Sequence, residues 1–390
     1  MNDLSFRPPA TIWKIEVTSD VAAVLPQWET LEVHATAFQT RGWLLPWYRI
    51  VAPRFAAQPL FVTVREGASG RPVMLFPLCK RRRHGILTIE FPDLNVSDYN
   101  APLIAGDFDP SADEMKVLWA RIRRALPRAD LVFFDKVPAL LDGRENLLAR
   151  LDGFEKLDVA AWLLTLPPTK AEYDDRIITK KARKENRRKK KNLSASLGEY
   201  KFIDAATPAE GEAIFEALCI ARRARFGVTN NLDDPCFNAF YREVIFGSWG
   251  QFAILSALKT NDRVLAMLFA IHQNGNYMLL MHSFAPDLGA LSPGVIAIDE
   301  AIGHRIVLGD RSFDFAFGDE GYKKQFGVSE TVLLRGLYPL SPLGRLYCFA
   351  LPHAKRFKFA LGEHLRKWRN GLTKRPPAPP AQELSPETQI

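Results

Sequence analysis

Asn274-Gly275 sits inside Gln273-Asn274-Gly275-Asn276 and separates two apolar runs, Val264–Ile271 and Tyr277–Ala285. A tight primed turn needs positive φ at its centre, and Asn-Gly is the strongest short signal for one. The two runs are therefore predicted to pair as a hairpin. They show little polar alternation, so both strands should be covered on both faces.

The residues after the hairpin continue the pattern. Pro286-Asp287-Leu288-Gly289 reads as a loop, followed by Ser292-Pro293-Gly294. Ser292 is a good N-cap, and Pro293 suits the first helical position, where its missing N–H costs nothing. Val295, Ile298, Ile302 and Ile306 follow at helical spacing, and Gly309 supplies the stop. Phe313-Asp314-Phe315-Ala316-Phe317 then alternates with period two, placing three Phe on one side and Asp314 on the other. Asp319 is read as the cap of a short helix, Glu320–Phe326, closed by Gly327. A helix start favours an anion by about 0.3–1 kcal/mol through its dipole, and Gly294 lets phosphate oxygens approach the backbone.

The order hairpin, loop, helix, strand, short helix, with Ser-Pro-Gly at 292–294 and FDFAFGDEGYKKQFG at 313–327, resembles the N-acetyltransferases of the GNAT type. Within them it is most similar to the BioF2-like, or CelD/BcsL-type, acetyltransferases, over roughly residues 25–330. The usual Arg/Gln-x-x-Gly-x-Gly/Ala loop of GNAT proteins is replaced here by Ser292–Val295. The resemblance implies a coenzyme A pyrophosphate on Ser292, Pro293, Gly294 and Val295, with Lys323 meeting phosphate. It also implies a splayed strand pair that admits the pantetheine arm.

Composition sets the outer bounds. A chain of 390 residues, 47% hydrophobic and 25% charged, suggests two or three globular domains. No run approaches the roughly 18–20 apolar residues of a membrane span, and the N-terminus lacks a signal-peptide layout, so a cytoplasmic protein is expected. Cys79, Cys219, Cys236 and Cys348 are scattered, without zinc-ligand spacing, which points to reduced thiols and no metal. The net charge of +8 is local: Lys180–Lys191 holds nine cations and one anion, Glu185, and the remaining residues balance at 43 of each sign. An anionic partner should be sought there. The run reads as a solvated helix face, as an RNA or membrane-surface arm, or as the Lys/Arg-rich helix that opens the second lobe in the resembling family. Too few aromatics interleave for base stacking, which favours steering of coenzyme A or an acidic acceptor.

In chain order, 1–160 is predicted as one α/β lobe. It contains a strand at Thr11–Val17, a helix at Pro26–Ala37, a hairpin of Leu60–Glu66 with Arg71–Lys80, and a strand at Ile86–Phe91. A polar loop bearing Asp98 and Tyr99, a helix at Ala112–Ala125 and a strand at Asp130–Asp135 complete it. A second lobe, 161–340, is predicted to carry the basic helix Ala171–Leu193, the helices Pro208–Phe226 and Pro235–Phe246, and the hairpin region. A basic C-terminal helix is expected within 341–373, at Pro352–Trp368, and a disordered proline-rich tail at 374–390. The fold class is α/β: tandem GNAT-like lobes, each a mixed, mostly antiparallel sheet flanked by helices. Tandem lobes also occur in the FemABX-type aminoacyl transferases.

Acyl transfer from a thioester needs a pyrophosphate cradle, a base and an acid. His282, Asp319 and Tyr322 are the catalytic candidates: a histidine titrates near neutrality, which suits a base, and the resemblance implies a tyrosine acid. Asp98, Tyr99, Arg222, Arg225 and Asp314 are candidates for acceptor binding. The expected function is acyl-CoA-dependent N- or O-acylation, with acetyl-CoA as cosubstrate and a saccharide or cell-envelope precursor as acceptor. The alternatives are a FemABX-like transferase using aminoacyl-tRNA, whose coiled-coil insertion is missing here, and a non-catalytic polysaccharide-assembly protein.

Overall fold

The computed structural model describes residues 13–227, 230–318 and 321–350. The first half holds strands β1 (Trp13–Thr18), β2 (Gln58–Glu66), β3 (Pro72–Arg83), β4 (Ile86–Glu90), β5 (Leu103–Ile104), β6 (Leu131–Pro138), β7 (Leu140–Leu141), β8 (Arg144–Glu145) and β9 (Phe154–Lys156). Its helices are α1 (Val21–Leu31), α2 (Arg41–Pro46), α3 (Ala52–Arg54) and α4 (Ala112–Ala125). The second half holds β10 (Ala161–Thr165), β11 (Lys201–Asp204), β12 (Ala253–Lys259), β13 (Val264–Gln273), β14 (Asn276–Phe284), β15 (Ser312–Phe317), β16 (Ser329–Thr331) and β17 (Leu333–Pro339). Helices α5 (Lys170–Glu172), α6 (Lys180–Leu197), α7 (Pro208–Phe226), α8 (Pro235–Phe246) and α9 (Pro293–Val307) lie between them.

Two sheets share one plan. The first runs β1-β2-β3-β4-β6-β17-β9, with β5 beside β3, and the second runs β11-β12-β13-β14-β15-β10-β16. In each, antiparallel neighbours are interrupted by a parallel pair, β4 with β6 and β14 with β15, joined through a crossover that contains α4 or α9. This is the mixed, mostly antiparallel α/β architecture the sequence predicts. One strand crosses the boundary expected at residue 160. β17, near the end of the chain, pairs with β6 and β9 of the first sheet, while β10 lies between β15 and β16 of the second.

Local signals explain most elements. Asn274 and Gly275 take φ of +52° and +71°, the primed turn that Asn-Gly demands. A capping box of Ser111 and Glu114 starts α4, and Thr207 and Asp234 cap α7 and α8 ahead of Pro208 and Pro235. Three expectations are corrected. The helix predicted at Pro26–Ala37 starts at Val21, because the Asp20 carboxylate caps the Ala22 N–H at 2.9 Å, and Pro26 lies inside it. The basic helix is not continuous from Ala171: the chain widens at Tyr173–Ile177 and restarts at Lys180, where Thr179 caps Ala182. Ser292 does not cap α9 with its side chain; it adopts left-handed φ of +54°.

One contiguous core runs from the first sheet through α7 and α8 to one face of the second sheet, including Phe215, Phe240, Phe269 and Met281. A separate core covers the other face beneath α6 and α9, with Leu193, Ile298, Ile302, Phe313 and Phe315. The second sheet is thus covered on both faces, as the unalternating hairpin requires. The residues expected to form the helix 352–368 and the tail 374–390 lie outside those described. Among the described residues no helix is long and apolar enough to cross a membrane.

Candidate active site

β14 and β15 run side by side only over Asn276–Met278 and Ser312–Asp314. Beyond Asp314 the strands part. Ala316 turns β15 away: its φ is +57°, left-handed for a non-glycine residue, and its N–H donates to Asp314 Oδ1 at 2.7 Å. Such a conformation costs about 1–2 kcal/mol. It also corrects the expected Phe stripe, since Phe313 and Phe315 join the core under α9 while Phe317 packs with the core shared between the lobes. On the other side of the gap, β14 bulges at Leu280, which lies between Leu279 opposite Ala270 and Met281 opposite Phe269. Bulges re-aim the side chains around them, and His282 follows two residues later.

His282 Nε2 lies 2.9 Å from the Tyr322 hydroxyl. Its Nδ1 is buried, with no hydrogen-bond partner among the described residues. A Cβ added at Gly294 would lie 3.7 Å from that nitrogen and 3.1 Å from the Phe284 ring. An orphaned ring nitrogen therefore overlooks the first turn of a 15-residue helix at a position kept open by glycine. There Val295 and Ile296 donate back to Ser292 O at 3.1 and 3.3 Å. Pro293 and Gly294 are buried, and Ser292 and Val295 are half-buried. The arrangement suits a ligand's anionic or carbonyl oxygen. Burial first, and then the charges of Arg225, Arg222 and Lys323, push His282 down to about 4. The expectation that it titrates near neutrality is corrected: desolvation and three cations keep the ring neutral.

At the vertex of the gap, Tyr99 O–H donates to Asp314, whose two carboxylate oxygens both lie 2.9 Å away. Burial raises Asp314 to about 7, against the hydrogen bonds from Ala316 N–H and Tyr99. Burial likewise raises half-buried Asp98 to about 6, with Lys136 and Lys323 opposing. Arg222 is half-buried, and desolvation lowers its pKa. Arg225 is exposed, with its guanidinium 4.9 Å from the Phe226 ring centre. Lys323 is 2% exposed and reaches three carbonyls at the end of β15, those of Ala316, Phe317 and Gly318, at 3.2–3.5 Å. Those contacts fasten the end of the splayed strand. Asp319 lies outside the described residues. The others, from Asp98 in the first lobe to Tyr322 in the second, come together around the parting strands.

Sequence reasoning missed how Asp98 and Tyr99 arrive there. The chain from 91 to 102 leaves the end of β4 and packs against Asp135 and Lys136 of β6. It is held by Lys136 Nζ on Ser97 O (2.7 Å) and Asp93 (2.9 Å), and by Asn100 N–H on Lys136 O (3.0 Å). The aromatic segment near the N-terminus adds Trp43 Nε1 on Ser97 Oγ (2.9 Å) and Gln39 Nε2 on Tyr99 O (2.9 Å). Lys136 gave no signal because it continues a buried strand; its left-handed φ of +52° is visible only in three dimensions.

A cavity of 480 Å³ opens between the lobes against Tyr99 and Asp314, lined also by Thr36, Asn276, Ser312 and Glu330. On α6, Lys190 pairs with Asp299 (2.6 Å) and Glu300 (2.8 Å) of α9, and Arg183 with Asp175. Lys180, Lys181, Lys184, Arg187, Arg188 and Lys191 are exposed. Among the described residues no cluster of His, Cys, Asp or Glu is arranged to hold a metal.

Two lobes of one plan, with a strand pair parting over a helix start in the second, define a tandem α/β fold. Residues 180–324, from the start of α6 to just past Tyr322, match the family model described as an acetyltransferase (GNAT) domain. Among solved structures, FemX shares the fold at 11% identity, covering 86% of this chain and 99% of that one, with a TM-score of 0.58. A conserved protein of unknown function from Bacteroides thetaiotaomicron VPI-5482 shares it at 15% identity, covering 84% and 100%, with a TM-score of 0.51. No curated protein matches the sequence significantly.

Proposed function

We propose that the chain is an acyl-CoA-dependent N- or O-acyltransferase of the BioF2-like, CelD/BcsL type, acting on a saccharide or cell-envelope precursor in the cytoplasm. One observation carries the reading: buried, unpartnered His282 Nδ1 faces Gly294 at a helix start, where two parallel strands part. Ser292, Pro293, Gly294 and Val295 would hold the pyrophosphate, and the gap between β14 and β15 suits the arm beyond it. When bound, the thioester supplies an acyl carbonyl that is already activated.

The chain's own groups then orient the acceptor and move protons. Asp314, poised at about 7, takes the proton of the acceptor's hydroxyl or amine, while Tyr99 fixes its carboxylate. Tyr322 supplies a proton on the leaving-group side, held in place by neutral His282. Arg222 and Arg225 draw in an acidic acceptor. The interlobe cavity has a largely apolar lining in which Thr36, Asn276, Ser312 and Glu330 offer hydroxyl, amide and carboxyl groups to an acceptor's hydroxyls. The exposed cations of α6 favour a second reading, aminoacyl-tRNA-dependent transfer of the FemABX type.

Thermal shift with acetyl-CoA and longer acyl-CoA esters tests the proposal. A ligand at a hundred times its Kd stabilises by about 2.7 kcal/mol, a rise of several degrees. Gly294→Val, which would press on Phe284 and His282, should abolish the rise while the unliganded protein still melts cooperatively. A shift by aminoacyl-tRNA and none by any acyl-CoA would replace this reading with the second.

A further inference from the structure

We infer that Arg222 and Arg225, at the end of α7, form a phosphate-binding site, and that the acceptor bears the phosphoryl group it takes. The two side chains share one ring: their guanidinium carbons lie 4.8 and 4.9 Å from the centre of Phe226. Arg225 also lies 6.0 Å from the centre of the Phe284 ring, which borders Gly294 at the start of α9. Arg222 Nε donates to Asn230 Oδ1 at 3.4 Å. Among the described residues no carboxylate pairs with either arginine, whereas Arg223, between them in sequence, is paired with Asp233 at 2.8 Å.

The energetics of that arrangement point to an anionic ligand. Arg222 is half-buried, and a guanidinium withdrawn from water without a counter-charge is held against its own desolvation. Burial lowers its pKa, with the Tyr241 hydroxyl opposing and Arg225 adding to the fall; no carboxylate offsets them. A phosphate monoester carries about two negative charges near neutrality and three acceptor oxygens, which matches two guanidinium forks, whereas a carboxylate brings one charge. Helix α7 packs on the face of the second sheet that shares its core with the first lobe, and Asp314 meets the interlobe cavity on that face. The site therefore lies on the acceptor's side, and the acceptor is a phosphorylated precursor. That ownership rests on the acyl-transfer reading; the anion site itself does not.

Thermal shift of the full chain with inorganic phosphate tests the site, at a fixed ionic strength of about 0.15 M so that screening is constant. Phosphate at about 10 mM should raise Tm by at least about 2 °C, while acetate at the same concentration leaves it unchanged. Arg225→Gln, at an exposed position, should weaken phosphate binding at least about tenfold. Arg222→Gln should do the same and should raise the Tm of the phosphate-free protein, because it removes an uncompensated charge. A lower phosphate-free Tm would make Arg222 a structural residue and overturn its part in the site. Saturating acetyl-CoA, recognised by its own shift, separates the owners. Unchanged phosphate affinity in its presence supports the acceptor, and a drop of at least about tenfold gives the site to the cofactor's phosphates and overturns the assignment. A shift by phosphate but none by any acyl-CoA leaves the anion site standing and removes the acyl-transfer reading. No phosphate shift, or one that survives in both variants, overturns the site.

Discussion

His282 and Asp314 are moved in opposite directions by the same enclosure, which gives the site a definite response to pH. Asp314 is raised to about 7 from an ordinary value near 3.8, so the folded state keeps a proton that the unfolded chain releases. That contribution is full below about 4 and is lost as pH rises through 7. Asp314→Asn should therefore gain stability relative to the parent between pH 5 and pH 8, on the order of 2–4 kcal/mol, read as urea midpoints at each pH. His282 has the other sign: its penalty is absent above about 6.5 and grows as pH falls toward 4. Tyr322→Phe removes only the hydroxyl facing His282 Nε2. If that hydroxyl is the acid, kcat should fall roughly 10²–10⁴-fold with little change in Tm. A structural hydroxyl would instead cost about 1–3 kcal/mol of stability and leave kcat near normal in the folded fraction. The sequence made His282 and Asp314 visible as polar groups in apolar strands, and Tyr322 as part of a polar cluster just after one. Their protonation depends on enclosure by both lobes, which no local pattern encodes.

Elements with strong local chemistry were legible, and those shaped by distant contacts were not. The Asn274-Gly275 turn, α4 with its Ser111–Glu114 box, and α7 between Thr207 and Gly227 fall where turn and capping rules place them. The reversal at Ala316 and the packing of residues 91–102 against Lys136 escape such rules, because tertiary contacts stabilise backbone that local propensity disfavours. Helix α6 shows both sides. Its charge was obvious, yet only the fold separates Lys190, locked to Asp299 and Glu300 of α9, from the exposed cations. Changing Lys181, Lys184, Arg187 and Lys191 together to Gln should leave the α6–α9 contact intact. If these cations steer an anionic substrate, kcat/KM should drop at low salt and the difference should shrink near 0.15 M, where the Debye length is about 8 Å. Equal kcat/KM in parent and variant at every salt concentration would make the run a solvated helix face.

At the scale of the whole molecule, the repeated plan of the two sheets was readable as alternating strands and helices, but the crossing of β17 into the first sheet was not. Leu333–Pro339 looks like any apolar strand, and nothing in its seven residues says that its partners are Leu131–Pro138 and Phe154–Lys156 rather than the sheet it follows. The crossing of β17 has a consequence for how the protein is made. β6 leaves the ribosome long before β17, and at roughly 5–20 residues per second the interval is on the order of 10–40 s. Throughout that time the nascent first lobe has most of its strands and its own helices but presents the side of β6 as an unpaired edge, the kind of surface that recruits strands from other chains. The N-terminal half is thus born before it can close, and its last strand arrives only with the far end of the message.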